Sequence, residues 1–158
     1  KPSSGVVRIG GAAVVQRDSG FRRRVASMIG LPPMAPDLTV FDHVLLVATT
    51  WLDEPASASE LARGVVAELG LAALGERFPH ELSSGQAQLF GIALVLARPF
   101  EVLILDEPEQ RLDPEHVQSV IDVLDARRGQ GATLVIATHS QVIADGLADY
   151  TLDLNGAA

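Results

Sequence analysis

The chain contains no cysteine among its 158 residues. Disulfides and thiolate metal sites are therefore excluded, and a reducing compartment is compatible with the sequence. Long apolar runs are missing as well. The best of them, Val44 to Trp51, falls well short of the roughly 20 residues a membrane-spanning helix needs, and Asp42 and His43 stand directly before it. No signal-peptide pattern, internal repeat or low-complexity tract is present. Positive charge is scarce, with Lys and Arg totalling 12 against 20 Asp and Glu and a formal net charge of -8. Binding a phosphate backbone needs a basic face, so this balance argues against nucleic acid as the main partner. The one basic cluster, Arg22 to Arg24, reads as a solvated turn. What remains is ordinary globular composition, 47% hydrophobic and 20% charged, in a chain about one domain long.

Three zones can be told apart. Residues 1–31 hold a Pro2-Ser3-Ser4-Gly5 turn and an alternating run from Val6 to Ile9, closed by Gly10 and Gly11. This predicts a short strand between turns, with a second one starting at Val14 and Val15. Residues 32–85 read as helical once Pro32, Pro33 and Pro36 have broken the chain. Thr39 is suited to cap a helix carrying Val44, Leu45 and Ala48. Ser57 to Glu60 has the form of a capping box, and Leu61, Val65, Val66 and Leu69 follow at helical spacing before Gly70.

In the third zone, 86–158, helices alternate with short apolar strands. Val102 to Leu105 and Leu134 to Ala137 are apolar throughout, as expected of strands in a parallel sheet covered on both faces. Asp113 and Pro114 open the helix between them, Val117, Val120, Ile121 and Leu124 supply its apolar face, and Gly129 and Gly131 end it. Such a crossover is expected to be right-handed. A helix over about 140–147 and a last strand, Tyr150 to Leu154, complete the layer. The fold class is thus α/β with an inserted helical region.

Chemistry concentrates at three places. The strand ending at Leu105 delivers Asp106 and Glu107, adjacent carboxylates at the sheet edge where ligands of open α/β sheets sit. Such a pair either just terminates a strand, or lets one acid hold Mg²⁺ while its neighbour polarises a water. Upstream, Leu82-Ser83-Ser84-Gly85-Gln86 precedes a helical run to Ala97. Its serines either cap that helix or offer hydroxyls and N–H groups to an anion. Downstream, His139 follows the strand ending at Ala137, and so reaches the edge occupied by Asp106 and Glu107 if the strands are parallel.

Together these segments resemble the ABC-type ATPases. Leu82 to Gln86 resembles the LSGGQ signature, Val102 to Glu107 the Walker B strand with its glutamate, Leu112-Asp113-Pro114 the D-loop, and His139 the switch histidine. Asp37-Leu38-Thr39-Val40 resembles the opening of the family's helical subdomain, and the likeness runs in register through the chain. It implies a P-loop NTPase-like parallel sheet covered by helices, with an inserted α-helical subdomain and with the N-terminal strands and phosphate loop missing. It implies ATP and Mg²⁺ as cofactors. Asp106 would help hold the metal, Glu107 would orient or deprotonate the attacking water, and His139 would contact the γ-phosphate. Ser83, Ser84, Gly85 and Gln86 would face the nucleotide of a second cassette in a head-to-tail dimer, with Asp113 at the seam. A transmembrane transporter subunit would be the other partner, docked on the region from about Asp37 to His80. The protein would then lie in the cytoplasm, peripheral on the inner face of the cell membrane.

The chain also departs from the family. It contains no G-x-x-x-x-G-K-[ST], so the lysine and backbone nest that cradle the β- and γ-phosphates are not in it. The aromatic that stacks on adenine is absent too, and the chain opens on Lys1. These departures predict a fragment of a longer ATP hydrolase, inactive by itself. Met34 stands where the family's Q-loop glutamine is expected, with Gln16 too far upstream to substitute, and Ser84 replaces the first glycine of the signature. The expected function is the nucleotide-binding subunit of an ABC transporter. The alternatives are a catalytically incompetent regulatory half-cassette and a non-transport ABC ATPase.

Overall fold

A computed structural model describes residues 4–15 and 17–154. Part of the turn expected at Pro2 to Gly5, and Gln16, lie outside the described residues. The chain begins with a small antiparallel hairpin of β1 (Arg8–Ile9) and β2 (Ala12–Ala13). Gly10 and Gly11 turn it with φ of 55° and 77°, the left-handed pair that a tight two-residue hairpin turn demands. The second strand thus precedes Val14 and Val15 instead of starting there, because the turn brings Ala12 and Ala13 opposite β1.

Arg22 to Arg24 form the last turn of α1 (Ser19–Arg24), capped by Asp18. Arg22 and Arg23 are exposed, as a solvated cluster should be, but the cluster is helical and not a turn. Arg24 Nε pairs with Glu101 at 2.8 Å, and the Arg23 guanidinium donates to the Trp51 carbonyl at 3.3 Å. A three-stranded parallel sheet follows, in the order β3 (Val25–Ile29), β4 (Val102–Asp106), β5 (Thr133–Ala137).

Between β3 and β4 the chain makes α2 (Val40–Thr49), α3 (Pro55–Glu68) and α4 (Ser84–Leu96). Thr39 caps α2 as expected, in a reciprocal capping box with Asp42. The box expected at Ser57 does not form. Glu54 is the N-cap and Pro55 occupies the first helical turn, where its fixed φ starts the helix, so Ser57 lies inside α3 and its hydroxyl turns back to Glu54. Helix α4 has almost no polar face. Every residue from Gln88 to Leu96 is buried, which makes α4 the central helix on which β3, α2 and α3 pack. After β4, α5 (Pro114–Gly129) buries Val120, Ile121, Val123 and Leu124 and runs along β5, and α6 (Gln141–Leu147) packs on α5.

The registers divide the sheet into two unlike faces. One face carries Ala26, Leu103 and Leu134 in one row and Met28, Leu105 and Ile136 in the next, and it turns into the core. The opposite face carries Ser27, Ile104 and Val135, then Ile29, Asp106 and Ala137. There Ile29 is 74% and Val135 51% exposed, so among the described residues the sheet is covered on one side only. This corrects the expectation of a sheet covered on both. The last strand is a second correction. Tyr150, Leu152 and Leu154 alternate as a strand would, yet they are 97%, 83% and 73% exposed and form no strand pairing among the described residues. Alternation states which side chains want burial. It supplies no partner for the backbone groups.

Candidate functional site

Parallel pairing carries the ends of β4 and β5 to the same edge. Asp106 stands opposite Ala137, and the next backbone N–H, that of Glu107, donates to the Ala137 carbonyl at 2.8 Å. Glu107 then turns the chain sharply, with φ of +46°. A non-glycine residue pays about 1 kcal/mol or more there, and such positions recur at functional sites. The Glu107 carbonyl accepts the Gln110 N–H at 3.0 Å, which closes the turn.

The Glu107 carboxylate is held on two sides. Gln110 Nε2 donates to Oε2 at 2.8 Å, and His139 Nε2 lies 3.6 Å from Oε1. The His139 side chain is 87% exposed, so it borders this carboxylate while facing solvent. The two loops are also linked behind it. The Thr138 hydroxyl donates to Glu109 and accepts the Ser140 N–H, and Ser140 caps α6. Asp106 is exposed, and among the described residues nothing hydrogen-bonds its carboxylate. A cavity of about 230 Å³ opens here, lined by Gly30, Leu31, Asp106, Glu107, Gln110 and Arg111 among others.

Ser83 to Gln86 begin α4. Ser83 is its N-cap, accepting from the Gln86 N–H at 3.2 Å, while Gln86 Oε1 accepts from the Ser83 N–H at 2.9 Å. Ser84 is exposed in the first turn. Gly85 lies against the loop before α5: a Cβ there would sit 2.8 Å from the Arg111 carbonyl oxygen, a contact no side chain tolerates. Small size at Gly85 is thus what lets α4 meet the loop leading from Glu107 to Asp113. Asp113 caps α5, accepting from the His116 N–H at 2.9 Å. That bond first, and the His116 side chain next, hold the Asp113 carboxyl below its ordinary value. The cap is therefore present at neutral pH and is lost only as pH falls through that lowered value. Met34 packs against the core as an apolar anchor.

The donor set suits Mg²⁺ in one specific sense. Among the described residues no group of three or more His, Cys, Asp and Glu gathers to hold a metal alone. Mg²⁺ is ordinarily held by one or two carboxylates together with substrate phosphates and water, and the unengaged Asp106 carboxylate at the cleft fits that pattern. A triphosphate approaching Asp106 and Glu107 would otherwise meet like charge.

Comparison with known proteins bears on the family and the fold. A family model described as "AAA domain, putative AbiEii toxin, Type IV TA system" matches residues 36–145. The glutamine transport ATP-binding protein GlnQ of Bacillus subtilis is 31% identical over 151 residues, covering 93% of this chain and 62% of that protein. The methionine import ATP-binding protein MetN of Cereibacter sphaeroides is 32% identical, covering 99% of this chain and 46% of that protein. The chain thus spans about half to two thirds of the length of these relatives. Among solved structures, a dimeric ATP-binding cassette in a post-hydrolysis state bound to ADP and Pi superposes with a TM-score of 0.79 at 22% identity. It covers 92% of this chain and 67% of that one, and the likeness shows the fold. The ATP-binding subunit of an ABC transporter superposes at 0.78 with 25% identity, over 92% of this chain and 60% of that one.

The structure brings Asp106, Glu107 and His139 to one edge, and it places Gly85 and Asp113 at the two ends of contacts made by the loop between them. Sequence reasoning missed Gln88, Gln110 and the Thr138–Glu109 link. Only Gln88 carried a signal, as a polar residue in an otherwise apolar helical run.

Proposed function

We infer the function from one premise: this chain belongs to the ABC-type ATPases. We propose that it supplies the hydrolytic edge of an ATPase that drives a membrane-embedded transporter. The observation that carries this reading is the Glu107 carboxylate, fixed by Gln110 and 3.6 Å from His139, beside the unengaged Asp106.

In this reading ATP lies across the C-terminal ends of β3, β4 and β5. Asp106 would hold Mg²⁺, which when bound neutralises phosphate charge and clamps the terminal phosphates. Glu107 accepts a hydrogen bond from the attacking water and orients it or takes its proton. His139, whose side chain is 87% exposed beside Glu107, donates toward the γ-phosphate. Little covalent work falls to the protein, since phosphoryl transfer is accelerated mainly by positioning and charge.

Ser83, Ser84, Gly85 and Gln86 would meet the nucleotide of a second cassette. There the exposed Ser84 and the free N–H groups of the first turn of α4 favour an anion. Asp113 would sit at the seam between the two cassettes. The helices from about Asp37 to His80 would take the transmembrane subunit, which places the protein on the inner face of the membrane. No helix among the described residues is long and apolar enough to cross one. The division into 1–31, 32–85 and 86–158 belongs to the same proposal, with the middle part as the docking subdomain.

His139→Ala tests the assignment. Turnover is expected to fall by about 10-fold or more with nucleotide affinity changed by about twofold at most, because the lost contact forms chiefly in the transition state. Steady-state phosphate release with a parallel nucleotide titration, on a protein that joins this chain to a G-x-x-x-x-G-K-[ST] loop, measures both. Unchanged turnover would remove His139 from the mechanism.

A further inference from the structure

Gln88 stands out on α4. From Gln88 to Leu96 every residue of the helix is buried, and Gln88 is the only one in that run with a polar side chain, 4% exposed. A buried amide is costly unless its hydrogen bonds are made. The amide nitrogen Nε2 donates to two successive carbonyls, those of Glu107 at 3.1 Å and Pro108 at 3.2 Å. It reaches them from an element distant in sequence, across the floor of the cleft that Glu107 lines.

These bonds bear on Glu107's backbone. The peptide group before its Cα is fixed by the Glu107 N–H donating to Ala137 O at 2.8 Å. The peptide group after it is fixed by the Glu107 carbonyl, which accepts from Gln88 Nε2 and from the Gln110 N–H. With both peptide planes held, the torsions between them are over-determined, and φ stays at +46° against the cost of that conformation. The same torsions set the direction of the Cα–Cβ bond, and so where the carboxylate points.

We propose that Gln88 is a positioning residue for Glu107: its amide, anchored in the central helix, holds the left-handed backbone that aims the Glu107 carboxylate at the cleft beside His139. The role rests on the reading of Glu107 as the group that acts on the attacking water. It also couples the helix that begins with Ser83 to Gln86 directly to that carboxylate, since both lie on α4 or touch it. A shift of α4 along its axis would move the Glu107 peptide with it.

Two substitutions separate this role from simple core packing. Gln88→Met keeps the volume and removes both donors. Gln88→Glu keeps the shape, faces the two carbonyls with a carboxylate when ionised, and regains one O–H donor when protonated. The direct readout is the intraresidue amide-to-Hα NOE of Glu107 in the labelled 158-residue chain, which is strong for positive φ and weak for negative φ. The wild type is expected to show the strong NOE and Gln88→Met the weak one. Gln88→Glu should be weak at alkaline pH, where its carboxyl is ionised, and recover as pH falls and the buried group protonates. In phosphate-release assays on a protein that joins this chain to a G-x-x-x-x-G-K-[ST] loop, kcat should drop about 10- to 100-fold in Gln88→Met with KM within about twofold, as for a misplaced catalytic group. A wild-type NOE and kcat in Gln88→Met would overturn the proposal. Should Gln88→Met fail to fold, the acid recovery of Gln88→Glu decides, and its absence counts against Gln88. A wild type without turnover in the same assay would sink the ATPase reading instead, while the NOE still judges Gln88.

Discussion

Glu107→Gln is expected to lower ATP turnover by ~10²–10⁴-fold, the range for removing a positioned general base. The substitution keeps the shape, and an amide oxygen can still accept from Gln110 Nε2, so the turn around Glu107 survives. What goes is the charge that orients the water and accepts its proton. Nucleotide should still bind, because the phosphates are held by other groups and by the metal. The effect is therefore on kcat, and single-turnover phosphate release in a protein that unites this chain with a phosphate-binding loop measures it. Near wild-type turnover would mean that the 3.6 Å pairing of Glu107 with His139 is an incidental contact at a strand end.

The second large effect is on stability. Phe90 is fully buried at the centre of α4 and packs edge-to-face on His43, with ring centroids 5.3 Å apart and planes at 83°. His43 is itself buried and uses both ring nitrogens. Nδ1 donates to the Thr39 carbonyl at 2.7 Å, and Nε2 accepts the Ala35 N–H at 2.9 Å, which fixes the Nδ1–H tautomer. Phe90→Ala would leave a cavity between α4 and α2 and loosen the hold on the segment that leads from β3 toward α2. The expected loss is about 3–5 kcal/mol, the usual cost of truncating a buried phenylalanine. That is a large share of the 5–15 kcal/mol that typically holds a domain together. Urea unfolding monitored by circular dichroism is the check. A loss below about 1 kcal/mol would show that α4 is not the central helix of the core.

Much of this edge was legible in the sequence because it depends on local signals. Apolar runs ending in Asp106-Glu107 and in Thr138-His139 each define a strand and its exit, and two parallel strands bring those exits together. Caps were legible for the same reason where the pattern was unambiguous, as at Thr39, Ser83 and Asp113. At Ser57 the S-x-x-E pattern competed with Pro55, and the proline's preset φ won. Contacts between distant segments were not legible. Nothing in the spacing of Gln88 says that it reaches the carbonyls of Glu107 and Pro108, and nothing in the residue type of Glu107 announces a positive φ.

The sheet's open face shows another limit of the same kind. Val135 and Ile29 carry the apolar character of a covered strand, but burial depends on what else is there to pack, and hydropathy cannot report that. Tyr150 to Leu154 fail as a strand for the matching reason on the backbone side. The division of roles between Ser83 and Gln86 lies between these cases. Their sequence reads as a cap or as an anion site, and in the structure the cap is what their side chains make.

The most direct measurement is the Mg²⁺ dependence of phosphate release from ATP, made on a protein that joins this chain to a G-x-x-x-x-G-K-[ST] loop. Hydrolysis at Asp106, Glu107 and His139 should require the metal, stop on chelation, return when Mg²⁺ is restored, and be lowered ~10²–10⁴-fold in Glu107→Gln. Phosphate release that is indifferent to Mg²⁺, or that stays near the wild-type rate in Glu107→Gln, would contradict the assignment of this edge as the hydrolytic site.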